Sequence, residues 1–86
     1  MKIYYSSKFA REYKRLPKRN KLIAEKQEKL FRNDPFNKKL KTHKLSGKLS
    51  AFWAFSIGYK YRVIFEFRSK KTVWFHSVGT HDIYYK

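Results

Sequence analysis

The apolar residues of this chain change their period near its middle, and that change decides what it can fold into. Up to Phe31 they recur at helical spacing: Phe9, Tyr13 and Leu16, then Leu22, Ile23, Leu30 and Phe31. From Tyr61 to Arg68 they alternate instead. Tyr61, Val63, Phe65 and Phe67 fall on one face, and Arg62, Ile64 and Glu66 on the other. A chain that passes from the helical period to the strand period buries its helical stripes against one face of a sheet.

The punctuation between these segments is explicit. Lys2 to Ser6 reads as a short aromatic-rich strand, and Ser6 or Ser7 offers an N-cap to the first helix. Pro17 ends that helix. A second runs from Lys18 to Arg32 with Leu22, Ile23, Leu30 and Phe31 inward, and Asn33-Asp34-Pro35 stops it. Glu25–Lys29 and Glu28–Arg32 stand at i,i+4 in the favoured orientation. Beyond, Lys41 to Leu45 can form a strand, Ser46-Gly47-Lys48 a turn, and Ala51 to Ile57 the next strand. Gly58 and Ser69-Lys70-Lys71 mark two further turns, and Thr72 to Val78 forms the last strand. The expected fold is α+β, in the order β-α-α-β-β-β. Two N-terminal helices pack on one face of a mainly antiparallel sheet, and the polar face is left for function. Residues 1–86 are expected to form a single domain.

Charge narrows the partner. Twenty-two Lys and Arg against six Asp and Glu give a formal net charge of +16, where an ordinary small domain carries a magnitude of roughly 2–8. Self-repulsion on that scale points to a polyanion, RNA first, with an acidic protein or a lipid surface as alternatives. With 42% hydrophobic residues, 20% of the chain aromatic, there is enough to build a core, which sets a disordered basic tail aside. There is no cysteine, hence no disulfide and no thiolate metal site. No stretch resembles a signal peptide or a membrane span, so the expected location is the cytoplasm, without a membrane partner.

Recognised catalytic motifs are missing. His43, His76 and His81 have no zinc-ligand spacing, and no metal or cofactor is expected. The remaining polar set suits phosphodiester cleavage in RNA without metal. That chemistry needs a base near the 2′-hydroxyl, an acid near the leaving 5′-oxygen, and cations around the phosphorane. The residues available are His43 and Lys44, Lys48, Trp53, Lys60, Arg62, and His81 with Tyr84 and Tyr85. Each also has a plainer reading. Arg62 could be a solvated strand residue, His81 could cap the tail against Asp82, and His43 could be surface decoration. Lys44, Lys48 and Lys60 read as backbone-phosphate contacts. His76 reads as structural, and Phe52, Phe55 and Trp74 as packing residues, with Trp53 undecided.

At these residues the chain resembles toxins of the RelE/ParE superfamily, most nearly the RelE/StbE, YafQ and YoeB-like branches. The likeness is carried by Leu40-Lys41-Thr42-His43-Lys44-Leu45-Ser46-Gly47, Phe52-Trp53, Tyr61-Arg62-Val63-Ile64-Phe65 and Val78-Gly79-Thr80-His81-Asp82. It covers nearly the whole chain and implies a compact RelE-like fold. It also implies a toxin of a type II toxin–antitoxin system, cutting mRNA on the 70S ribosome by 2′-OH attack. A cognate antitoxin would bind it as a hetero-oligomer. Residue by residue, the resemblance implies Arg62 at the scissile phosphate, His81 as general acid and Tyr85, or Tyr84, as the terminal aromatic. It matches His43 to a functional histidine of the YafQ branch. Ser56 and Lys60 stand where YafQ-like toxins carry a further histidine and an aspartate, and the lysine pair of RelE has no match. That leaves His43 as the base, with Lys44 or Lys48 behind it. ParE-like members inhibit gyrase instead, so a non-nuclease toxin and a plain RNA-binding module stand as alternatives.

Overall fold

The computed structural model describes residues 1–80. Ser6 opens the helical half: its hydroxyl oxygen accepts the Phe9 N–H at 2.9 Å, while its own hydrogen goes to the His76 carbonyl at 2.8 Å. It therefore caps the first helix and ties that helix to the last strand. Strand β1, Lys2–Tyr5, precedes it, and α1 covers Ser7–Lys14. Pro17 then stands at the N-cap of α2, Lys18–Asn33, where its missing N–H costs nothing. Asp34 ends α2 by donating its N–H to the Leu30 carbonyl, and its carboxylate accepts the Phe36 N–H at 3.0 Å.

Four strands follow: β2 His43–Lys44, β3 Trp53–Ile57, β4 Tyr61–Phe67 and β5 Thr72–Thr80. The sheet order is β1-β5-β4-β3-β2, with β1 parallel to β5 and the remaining pairs antiparallel. The fold class is as expected; all five expected strand segments form, so the order is β-α-α-β-β-β-β, one strand more than the expected order β-α-α-β-β-β counts. Only His43 and Lys44 of the expected 41–45 strand pair. Lys41, at the end of a single 3₁₀ turn over Lys38–Leu40, takes a left-handed conformation with φ of 53° and breaks the ladder before them. Gly58 turns β3 into β4 at φ of 61°, the conformation that favours glycine.

The helices cover one face. Phe31 of α2 is fully buried, with its ring 5.1 Å from Phe55, 4.9 Å from Phe65 and 5.4 Å from Phe75. Val63, Val73, Val78, Ile57 and Leu40 complete this aromatic-centred core. Leu22, expected inward, is 59% exposed. Adjacent helix positions point about 100° apart, and Ile23 takes the inward direction, packing near Gly58. Of the two i,i+4 pairs expected on α2, Glu28–Arg32 forms at 3.4 Å; Glu25–Lys29 is not among the ion pairs of the described residues.

Strand β5 carries a bulge. Ile64 faces Ser77 while Phe65 faces Phe75, so His76 is the additional residue. The slip brings Val78 into the core opposite Val63 and sets Gly79 beside Arg62. It also carries the strand on to Thr80, two residues past the expected end. Beyond Phe75, β5 outruns β1, and the free strand edge is closed by α1. One Glu12 carboxylate oxygen accepts the Val78 N–H at 3.0 Å and the Ser77 hydroxyl at 2.8 Å. Among the described residues no helix is long and apolar enough to cross a membrane.

Candidate functional site

The face of the sheet away from the helices is the place for chemistry. Its composition follows from register. Ser56, Arg62 and Gly79 stand in one row, Ala54 and Ile64 in the next, and Glu66, Trp74 and Tyr4 in a third. His43 pairs with Ala54 and so joins this face from the edge strand. Arg62 and His43 thus lie on one face with β3 between them. From sheet spacings their Cα atoms are about 12 Å apart, and the buried Ala54 and Ser56 of β3 lie between them.

Arg62 is held by its own turn. Its Nη1 donates to the Tyr59 carbonyl at 3.2 Å and to the Tyr61 carbonyl at 2.9 Å. Among the described residues no carboxylate pairs with it. The guanidinium is therefore oriented by neutral oxygens and, among the described residues, keeps its charge unpaired, which is what an anion-binding arginine requires. Gly79 opposite has no side chain to crowd it.

His43 is exposed, and its Nδ1–H donates to the Lys41 carbonyl at 3.0 Å. That bond directs the neutral ring toward the tautomer with a free Nε2 lone pair, the form that can accept a proton. The left-handed Lys41 turns its carbonyl toward the ring. The loop is anchored beneath by buried Leu40 and by Gln27 of α2, whose amide donates to the Lys39 carbonyl at 3.1 Å and the Ser56 carbonyl at 2.9 Å. Thr42 adds a hydroxyl bond to the Pro35 carbonyl. None of these supports was read from the sequence. Gln27 on a helix gives no local sign of its partners, and a left-handed lysine is a tertiary outcome.

The other expected residues divide. Lys60 is exposed in the turn that leads into Arg62, and Lys48 is exposed in the 3₁₀ turn Gly47–Leu49 after β2. Lys44 pairs with Trp53, opposite in face to His43. Trp53 packs on the helix side, edge-on to Phe36 at 5.5 Å and Phe67 at 5.7 Å. The structure therefore does not bring Lys44 and Trp53 to the Arg62 face. His81, Tyr84 and Tyr85 lie outside the described residues; in sequence His81 follows Thr80, the register partner of Tyr61.

His76 and Glu66 make a second polar group on this face. His76 Nε2 is 2.8 Å from Glu66 Oε1, Arg68 Nε donates to the same oxygen at 2.7 Å, and Phe52 meets the His76 ring edge-on at 4.9 Å. Burial pushes the Glu66 carboxyl up, but the bonds to His76 and Arg68 outweigh it and hold it below the usual range. Among the described residues no three His, Asp or Glu side chains gather into a metal-binding group.

With this geometry in place, comparison with known proteins decides the family. The model of a bacterial toxin of type II toxin–antitoxin systems, YafQ, matches residues 1–86. The chain belongs to the YafQ toxin family. Solved structures agree in fold. YafQ from E. coli strain BL21(DE3) superposes with a TM-score of 0.81 at 20% identity, over 99% of this chain and 98% of that one. A YoeB/ParE toxin from Agrobacterium tumefaciens gives a TM-score of 0.79 at 18% identity, over 94% and 99%. The E. coli DinJ–YafQ complex matches with a TM-score of 0.70 at 21% identity, over 99% and 98%. No relative is found among curated proteins. This YafQ-family chain therefore shares the RelE-like fold of antitoxin-bound toxins at low sequence identity.

Proposed function

We propose that this toxin is an mRNA endonuclease that acts on translating ribosomes, works without metal, and is silenced in the cytoplasm by a cognate antitoxin. The reading is supported by the placement of Arg62 and His43 on one face of the sheet, each oriented by backbone carbonyls and neither in an ion pair among the described residues. Chemically, His43 takes the proton of a 2′-hydroxyl. The resulting alkoxide attacks the adjacent phosphorus, and Arg62 stabilises the charge that builds on the phosphorane. The 5′-oxygen leaves with a proton from an acid, the role given to His81, and a 2′,3′-cyclic phosphate and a 5′-hydroxyl result. Lys48 and Lys60 hold flanking phosphates, and Tyr85 or Tyr84 positions the nucleotide; Lys44, on the opposite face, does not join them. Trp53 supports the sheet instead.

The antitoxin reading is supported by net charge and by family. A formal charge of +16 favours an acidic partner, and E. coli YafQ is seen in complex with DinJ. The test is primer extension on mRNA from a translating extract. Wild-type protein should give discrete cuts, and Arg62→Ala, His43→Gln and His81→Ala should each lower the cleavage rate by about 10²–10⁴. Undiminished cleavage by all three would remove the catalytic assignment. Inhibition of gyrase without any mRNA cut would replace the reading with a non-nuclease toxin.

A further inference from the structure

Three flat groups line up across the strands on the open face. Arg68, just past the end of β4, places its guanidinium carbon 4.9 Å from the Trp74 ring centre of β5. Trp74 in turn stacks on Tyr4 of β1, with centroids 5.3 Å apart and planes at 23°. Arg68 cannot swing freely, since its Nε is bonded to Glu66 at 2.7 Å. The row stops at Tyr4 because β1 is the sheet edge. Tyr4 is 45% exposed, and Trp74 is its single ring neighbour among the described residues. Its outward side is where the next flat group in the row would sit.

The surroundings supply the matching charge. Lys2 lies on the same edge strand, in register with Thr72, and Lys70 and Lys71 stand in the adjoining turn. All three are exposed, and none is in an ion pair among the described residues. A stacking ring bordered by unpaired cations matches the two parts of a single-stranded nucleotide, its base and its phosphate. An apolar or acidic peptide would use the cations or the ring, but gains nothing from parallel planes.

We propose that Tyr4, backed by Trp74 and Arg68, is a stacking subsite for an unpaired RNA base, with Lys2, Lys70 and Lys71 on its flanking phosphates. Tyr4 lies two strands from Arg62 and four from His43 in the sheet order, so it holds RNA without taking part in the cut. It rests on the reading that the partner is RNA, but not on the cleavage mechanism. Trp74, which the sequence pattern suggests as a packing residue, serves here to present a neighbour's ring.

The test uses the whole protein and a short 2′-O-methyl RNA of mixed sequence, which cannot undergo 2′-hydroxyl attack. A second probe carries the same backbone with abasic sites. Wild-type protein should bind the base-bearing probe more tightly. Tyr4→Leu should weaken that binding roughly tenfold, within the range found for removing a stacking aromatic. It should leave binding of the abasic probe and the salt slope unchanged, because no phosphate contact is lost. Tyr4→Phe should bind like wild type. Lys2→Ala should weaken both probes and flatten the salt slope. Equal weakening of both probes by Tyr4→Leu, or no weakening of either, overturns the subsite. A wild-type protein that cuts mRNA on ribosomes yet does not distinguish the probes overturns this inference alone; one that binds with base preference but never cuts overturns only the nuclease reading.

Discussion

Glu12 is the side chain whose replacement tests how the sheet is finished. Its side chain is 24% exposed, and one oxygen receives both the Ser77 hydroxyl and the Val78 N–H while the other meets Lys8 at 3.1 Å. Burial pushes its carboxyl up, but Ser77, Val78 and Lys8 prevail and hold it below its ordinary value of 4.5. Glu12→Gln keeps the shape and the doubly accepting oxygen, and removes the charge. Two charge-assisted bonds of about 1.5–3 kcal/mol become neutral ones of about 0.5–1.5. The half-exposed lysine pair contributes about 0.3–0.5 kcal/mol more. The expected loss near neutral pH is about 2–3 kcal/mol, and for a domain of this size a fall in Tm of roughly 10–20 °C. Urea titration followed by tryptophan fluorescence measures it. The sign of the pH dependence follows from the depressed folded value. The Glu12 contribution is complete above the unfolded value of 4.5 and fades as pH falls through the lower folded one. Wild type and Glu12→Gln should therefore converge in acid. Equal stability at pH 7, or a gap that persists unchanged into acid, would refute the assignment of Glu12 as the closure of β5.

Other expectations follow from packing and charge. Phe31→Ala, at the meeting point of three rings, should cost about 3–5 kcal/mol and unfold much of the population, as circular dichroism in urea would reveal. Leu22→Gln should stay within about 0.5 kcal/mol of wild type, since that side chain faces water. Gln27→Ala strips the Lys39 and Ser56 carbonyls of their donor and should cost about 1–3 kcal/mol. Because the His43 loop hangs on it, mRNA cleavage should fall further than that loss of stability accounts for, measured with folded protein at low temperature. Lys60→Ala should reduce the slope of log affinity against log salt for single-stranded RNA by about 0.7.

The parts of the fold governed by local period were readable in the residues. The alternation from Tyr61 to Phe67 fixed both faces of β4 and thereby put Arg62 on the one away from the helices. The same rule carries Trp53 inward with Phe55 and Ile57, two residues apart each, although the sequence reading left it undecided. Leu22 and Ile23 are a tie that only the position of Gly58 breaks. The bulge at His76 is a phase slip, Val73 and Phe75 followed by Val78, and no periodic reading anticipates which residue is left over. Whether His43 shares a face with Arg62 depends on sheet order and on the turn at Lys41, both set by contacts distant in sequence. The assignments to His81, Tyr84 and Tyr85 rest on the resemblance.

The parallel pairing of β1 with β5 has a consequence for how the protein comes into being. Thr72–Thr80 sits in the interior of the sheet, yet it is made after β1, both helices and β4, all of which need it. Until it leaves the exit tunnel, β1 has no neighbour, Phe31 lacks the Phe75 ring, and Gly79 is not beside Arg62. The sheet therefore closes only once β5 is available, by long-range pairing of the kind that folds slowly. Pulse proteolysis of chains stalled before and after Thr72 would show protection only in the longer set.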